Sequence, residues 1–343
     1  MRGGRSGRAP AADMSGVSMT KKHRVIVSLC ACLAACMLMC ALAGCGRAAP
    51  KKLIRFGYIA ADQLHSPAVM AMKEKKLLEA AGFDVEWKEF LAGSYVMRDM
   101  EEGAIDYAVC GAVPVMSSYA NDNKLAIVAG ANQEGSSLIV NDSIRGAADL
   151  NGAKIGTPGH GSIQEAMVSR YAGENGVDIK FAALDVTDMP LFLEKGEIDG
   201  FIAWAPHPAK ALSGGIGHEL LTSRDMMPGH QCCVFAVKES ALLGDRDTVK
   251  KVLQIYLDAY KWFLENRDES VRLMSKYTGA DPAVIRQALD TVNYVYPPYC
   301  NEESMAVMAR SLIDSGRIAI READLPAFLD GLYQTGLLDE IVG

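Results

Sequence analysis

Disulfide scaffolding is the first thing this sequence lacks. Of its nine cysteines, Cys30, Cys32, Cys36, Cys40 and Cys45 fall within the first 45 residues, leaving Cys110, Cys232, Cys233 and Cys300 for the body of the chain. Adjacent cysteines rarely bridge each other, and the apolar, strand-like context of Cys110 and Cys233 marks them as buried small hydrophobes, so no obligatory disulfide is expected. Positive charge is also short, with 35 Lys and Arg against 42 Asp and Glu and a net charge of −7. No basic stripe or arm offsets it, which excludes nucleic acid as a partner. Absent too are a G-x-S-x-G elbow and a nucleophile, base and orienter set, so no enzyme is expected. His65, His160 and His207 show no H-x-x-x-H spacing, and neither a metal nor a cofactor is expected. Past residue 44 no second run is apolar and long enough to span a membrane.

What is present begins with an export signal. Lys21-Lys22-His23-Arg24 precedes the uncharged run Val25 to Gly44, a basic start followed by an apolar core. The run ends in Leu42-Ala43-Gly44-Cys45, which resembles a bacterial lipoprotein lipobox. That resemblance implies that residues 1–44 are removed, that Cys45 takes a lipid on its sulfur, and that 45–51 is a tether. Met19 gives a more usual signal start than Met1 or Met14. Removing residues 1–44 takes away six Lys or Arg and one acid, leaving 29 basic against 41 acidic side chains, near −12. The chain is therefore expected to be exported and membrane-anchored on the extracytoplasmic face.

A doubled unit organises the rest. Glu102-Gly103-Ala104-Ile105-Asp106 and Lys195-Gly196-Glu197-Ile198-Asp199 lie about 93 residues apart, each followed by an apolar run. Gly after a charged residue suits a helix C-cap, and Ile-Asp then opens a buried strand. Gly82-Phe83-Asp84-Val85-Glu86 recurs as Gly176-Val177-Asp178-Ile179-Lys180, and Arg55-Phe56-Gly57-Tyr58 as Lys154-Ile155-Gly156-Thr157. Two similar α/β units in tandem suit paired lobes.

The connections hold the chemistry. Ser66 and Pro67 open a helix through Met70 and Leu77 to Ala81, and Ala92 to Tyr95 opens another. Asn132 to Ser137 breaks an apolar strand that starts at Leu125. Gly159 to Ser162 is the best anion cradle, because its glycines let backbone approach a ligand and Ser162 caps a helix whose dipole favours negative charge. From Asp245 onward the periodicity is helical, over Val249 to Phe263, Glu269 to Tyr277, Pro282 to Asp290, Glu302 to Ser315 and Ala323 to Gln334. This tail reads as scaffold for the first lobe.

These segments, with Thr157-Pro158-Gly159-His160-Gly161-Ser162 and Gly200-Phe201-Ile202-Ala203-Trp204-Ala205-Pro206, resemble the substrate-binding proteins of ABC importers for nitrate, sulfonate, taurine and bicarbonate. The resemblance implies an α/β, two-lobe periplasmic-binding-protein-like (type II) fold with two crossover strands and a helical C-terminal segment. Lobe 1 is then 52–140 plus 235–343, and lobe 2, with the crossover strands, is 141–234. It further implies ligand contacts at Asp62, Gln63, His65, Ser94, Tyr95, Gly111, Ala112, Asn132, Gly159, His160, Gly161, Ser162, Trp204 and His207. Trp204 and Tyr95 would wall the cleft, and Ser94, Ser162 and backbone N–H groups would donate. Relatives often place Glu after the Trp, where this chain has Ala205.

The partners implied are a small-molecule solute, ABC permease subunits and, through the lipid anchor, the membrane, with the protein acting as a monomer. Those cleft loops hold no Arg or Lys, which points to a small oxyanion or sulfonate held by N–H dipoles, hydroxyls and histidine. The alternative is binding of a thiamine-pyrimidine precursor, or a metal-dependent synthase like the thiamine-pyrimidine synthases of yeast. Their cysteine-rich motif is only half matched by Cys232-Cys233-Val234-Phe235-Ala236, and an export signal sits badly with a cytosolic synthase.

Overall fold

The computed structural model describes residues 21–22 and 50–343, so the signal segment, the lipobox and Cys45 lie outside the described residues. Lys52–Gly343 forms one compact unit containing two sheets. The first holds six strands: β1 (Leu53–Ile59), β2 (Asp84–Phe90), β3 (Tyr107–Gly111), β4 (Leu125–Glu134), β10 (Gln231–Lys238) and β11 (Val292–Asn293), in the order β11-β4-β10-β3-β1-β2. The second holds five: β5 (Ser136–Val140), β6 (Lys154–Thr157), β7 (Lys180–Ala183), β8 (Gly200–Trp204) and β9 (His218–Thr222), in the order β7-β6-β8-β5-β9. β1 pairs parallel with β2 and β3, and β6 parallel with β7 and β8.

The doubled G-x-I-D unit is a structural joint, made the same way in each sheet. Gly103 and Gly196 take positive φ (74° and 69°) as the preceding helix ends, a conformation open to glycine at no steric cost. Ile105 and Ile198 are buried. The backbone N–H of Asp106 donates to the Arg55 carbonyl (3.0 Å) and that of Asp199 to the Lys154 carbonyl (2.9 Å). Each carboxylate then accepts from the same partner residue: Asp106 from the Arg55 guanidinium (2.7 and 2.8 Å), Asp199 from the Lys154 backbone N–H (2.8 Å). Gly57 and Gly156 make room for the isoleucines; a Cβ there would stand 2.6 Å from Ile105 Cδ1 and 3.2 Å from Ile198 Cδ1.

Helices fill the connections. The first part carries α1 (Pro67–Glu74), α2 (Leu77–Ala80), α3 (Gly93–Glu101) and α4 (Ala112–Ala120). The second part adds α5 (Ile163–Asn175), α6 (Met189–Glu194), α7 (His207–Ser213) and α8 (Ser223–Met226). The tail comprises α9 (Glu239–Gly244), α10 (Arg246–Glu265), α11 (Arg267–Thr278), α12 (Pro282–Asp290), α13 (Glu302–Asp314), α14 (Leu325–Leu332) and α15 (Gly336–Val342).

Several sequence expectations are corrected here. The helix expected to run from Pro67 through Met70 and Leu77 to Ala81 is two helices, because Lys76 takes φ 50° between them. Ser66 sits at the N-terminus of α1, but its hydroxyl donates to the Asp62 carbonyl (2.8 Å) instead of capping. The residues after β3 and β8, expected as loops, enter α4 and α7 almost at once. Ser136–Val140, grouped by sequence with the first lobe, pairs in the second sheet, and Gln231–Val234, grouped with the second, pairs in the first. The tail touches both sides, since α12 packs on α7 and α13 on α5.

The break expected over Asn132 to Ser137 shrinks to a single residue. β4 ends at Glu134 and β5 starts at Ser136, so Gly135 (φ 91°) alone carries the chain from one sheet to the other. The return runs through 227–230, between α8 and β10. Glu134 joins the two crossings: its N–H donates to the His230 carbonyl (3.0 Å), while its carboxylate accepts from Gly229 N–H (2.9 Å) and from Arg224 (2.5 and 2.8 Å).

Candidate functional site

A cavity of about 330 Å³ lies where strand ends from both sheets meet. Three helices begin at its wall: α3 with Gly93 and Ser94, α4 just after Gly111, and α5 with Ser162 and Ile163. The first N–H groups of a helix have no intrahelical acceptor, and the helix dipole places partial positive charge there. Gly93 is needed for close packing of two of these termini, because a Cβ on it would lie 2.7 Å from Pro114 Cγ. Ser162 caps α5 by accepting the Glu165 N–H (3.2 Å).

Of the residues expected to contact a ligand, Asp62, Ser94, Gly111, Gly159, His160, Gly161, Ser162 and Trp204 line this cavity. Gln63, His65, Tyr95, Ala112, Asn132 and His207 do not, each for an identifiable reason. Gln63 folds back to donate to the Ala60 carbonyl (2.6 Å). Tyr95 points outward, 47% exposed, with the Arg98 guanidinium over its ring. Ala112 is buried inside the first turn of α4. Asn132 is buried in β4 and donates to the Glu134 carbonyl (3.3 Å). His65 is buried behind the wall, and His207 is engaged elsewhere, as described below.

Sequence reasoning missed Arg98, which lines the cavity from a helix, with its guanidinium over the Tyr95 ring and 3.5 Å from Asp99. It follows Ser94 by four residues, so both share one face of α3; the helix, not the loop, carries the charge. Also missed were Cys232 and Cys233, which both line the cavity. Successive strand residues normally face opposite ways. Here β10 shifts register against β4 between Gln231 and Cys233 and again between Cys233 and Val234, and such a bulge re-aims side chains. The two sulfurs end 3.9 Å apart.

These cysteines are not the isolated small hydrophobes expected. Cys232 Sγ lies 3.4 Å from His65 Nδ1, Cys233 Sγ 3.6 Å from Asp62 Oδ2, and Asp62 Oδ1 3.2 Å from His65 Nδ1. Burial pushes the Asp62 carboxyl up to about 7. Burial alone would lower His65, but the Cys232 sulfur and the Asp62 carboxylate outweigh it and raise the imidazole to about 9. The Cys232 thiol is held low, first by the Cys233 thiol and then by His65, while Cys233 is pushed up. Sequence spacing does not bring this group together, but the fold does: His65, Cys232 and Cys233 present donor atoms within 4.8 Å of one another.

Across the cavity, Trp204 Nε1–H and His207 Nε2–H both donate to the Ala61 carbonyl (2.9 and 3.0 Å), joining the end of β8 to the loop after β1. His160 reaches Glu165 (3.0 Å), which also pairs with Arg317 beyond α13.

Burial lowers His207 to about 4, with Lys210 and His65 acting in the same direction and the Ala61 hydrogen bond and Asp185 opposing. The unfolded chain therefore binds the extra proton between pH ~6.5 and ~4. Stability from a neutral His207 is present above pH ~6.5 and is lost as pH falls toward ~4, by about 3 kcal/mol. Denaturant unfolding across that window should show the loss in the wild type and a flatter profile in His207→Gln, which keeps an N–H donor without titrating; equal slopes would contradict the assignment.

The NMT1-like family model matches residues 47–276. An Escherichia coli K12 protein named for aliphatic-sulfonate binding is 25% identical over 251 residues, 69% of this chain and 75% of its own length. The taurine-binding periplasmic protein of the same strain is 20% identical over 283 residues, 78% of this chain and 87% of its own. The crystal structure of the periplasmic nitrate-binding protein NrtA from Synechocystis PCC 6803 superposes with a TM-score of 0.73 at 16% identity, covering 85% of this chain and 88% of that one. These relatives are named for binding, and the superposition on NrtA shows the periplasmic-binding-protein fold. With the family model matching residues 47–276, most of the described fold, the chain belongs to the NMT1-like family.

Proposed function

We propose that this protein is the solute-binding component of an ABC importer, which captures a small organic anion between two lobes and passes it to membrane permease subunits. Each sheet with its covering helices would form one lobe, the joints being Gly135 and 227–230. The observation that carries the reading is the convergence of three helix N-termini on one cavity, which Arg98 also lines from further along α3. A helix N-terminus favours an anion without needing a formal cation. This local field offsets the negative balance of the chain and the Asp62 and Glu101 carboxylates that also line the cavity.

Size narrows the class. A water occupies roughly 30 Å³ in the liquid, so a cavity of about 330 Å³ is far larger than nitrate or bicarbonate fills. Ile59, Met97, Pro114 and Ile163 line part of it, and these apolar side chains suit the carbon chain of an alkanesulfonate or of taurine. Export and tethering through Cys45 complete the proposal: the lipid would hold the protein on the extracytoplasmic face beside its permease.

Ligand present at about 100 times its dissociation constant adds about 2.7 kcal/mol of stability. In a thermal-shift panel of alkanesulfonates, taurine, nitrate, bicarbonate and aminopyrimidines, the sulfonates should raise the melting temperature most. A response to aminopyrimidines alone would move the assignment to a thiamine-precursor binder, and silence from every sulfonate would overturn the size argument. Separately, Cys45→Ala should abolish metabolic lipid labelling and release the protein from membranes; undiminished labelling would remove Cys45 from its role.

A further inference from the structure

We infer that His65, Cys232 and Cys233 form a binding site for a thiophilic d¹⁰ metal ion, of which zinc is the representative, set in the floor of the cavity. The inference does not depend on which solute the cavity takes.

Geometry is the first support. With metal–sulfur bonds of about 2.3 Å and metal–nitrogen bonds of about 2.0–2.1 Å, a tetrahedral ion holds two sulfurs about 3.8 Å apart and a sulfur and a nitrogen about 3.6 Å apart. The observed separations are 3.9 Å between the sulfurs and 3.4 Å between Cys232 Sγ and His65 Nδ1. Those two separations already match to a few tenths of an ångström, while the third pair, Cys233 and His65, lies within 4.8 Å and is the one that an entering ion would draw together. The bulge in β10 is what makes this possible, by turning two consecutive cysteines to one side.

Orientation of the histidine is the second. His65 Nε2 lies 3.2 Å from the Gly135 carbonyl, an acceptor that takes the ring N–H and leaves the Nδ1 lone pair facing the sulfurs. Ligating histidines characteristically give their other N–H to a carbonyl or carboxylate in this way. The third support is an orphaned oxygen. Asp62 is 4% exposed, and its Oδ1 has no hydrogen-bond partner although it stands 3.2 Å from His65 Nδ1. A carboxylate oxygen facing an imidazole lone pair is repelled unless something positive lies between them, and that must be a proton or a cation. The sulfurs, too soft and too weakly hydrogen-bonding to hold a hard ion, select a zinc- or copper(I)-like one over magnesium or calcium. Three protein donors leave a fourth position, and since both cysteines line the cavity, that position opens toward the bound solute.

The test uses purified, reduced protein stripped with chelator. Cobalt(II), a spectroscopic stand-in for zinc, should bind one equivalent per chain and give a thiolate charge-transfer band in the near ultraviolet. Cys232→Ser and Cys233→Ser should each weaken zinc binding at least tenfold, whereas Cys300→Ser, outside the cluster, should not. Should either cluster variant fold poorly, alkylation of the wild type provides the answer: zinc should slow modification of Cys232 and Cys233 while leaving the rate at Cys300 unchanged. A cobalt complex without the thiolate band, or absence of zinc protection at both sulfurs, would overturn the site and leave a proton on His65 Nδ1 as the occupant.

Discussion

The structure turns on one residue-wide passage between its sheets. At Glu134 and Gly135 the chain leaves β4 and enters β5 with φ of 58° and 91°, a left-handed step that glycine takes freely and that glutamate takes only when its surroundings enforce it. The enforcement is visible. The buried Glu134 carboxylate is shared between Gly229 N–H and the Arg224 guanidinium, so the outgoing and returning crossings are held by a single side chain. A buried carboxylate stripped of such partners costs several kcal/mol, which ties the geometry of one crossing to the other. Gly135 then braces the residues behind the cavity wall: its carbonyl meets both the Ala205 N–H (2.8 Å) and His65 Nε2 (3.2 Å). A side chain at this position would collide with His65 and with Val292.

From that passage follows a division of labour. In the function proposed above, the two short crossings would be the hinge about which two α/β bodies rotate, the mode by which hinged binding proteins close on ligands. The second sheet is tied to the first-sheet side by the Ala61 carbonyl, which receives Trp204 and His207, and to the tail by Arg317 paired with the buried Glu165 at the start of α5. Neither contact is made by solute. A solute shifts the balance toward closure only through contacts that the open form lacks, and the helix termini of α3, α4 and α5, approaching from both sheets, are placed to supply them.

Much of this was legible in the sequence, and the reason is local chemistry. The G-x-I-D units were visible because a glycine C-cap, a buried isoleucine and an aspartate tied to the first strand are needed wherever this joint is built, and the joint is built twice. The Ser162 cap and the amphipathic face of α10 were readable for similar reasons. What escaped was set by tertiary arrangement. Nothing local says that β10 shifts register at Cys232 and Cys233, so two cysteines that alternation would send to opposite faces meet His65 from a loop about 170 residues earlier. Arg98 is not legible from the loops, because the cavity also takes side chains from one helical turn further on. His65 and His207 shared the cleft loops by sequence, yet one lies behind the wall and the other is drawn onto Ala61. The tail was assigned to one side because periodicity tells which face is buried and not what buries it.

Small-angle X-ray scattering of the purified protein, with and without a saturating amount of the solute that stabilises it most, tests lobe closure most directly. The account predicts a smaller radius of gyration in the presence of solute, with the two bodies keeping their own shapes. Identical scattering curves at saturation would contradict it, and would make the cavity a fixed pocket instead of a clamp.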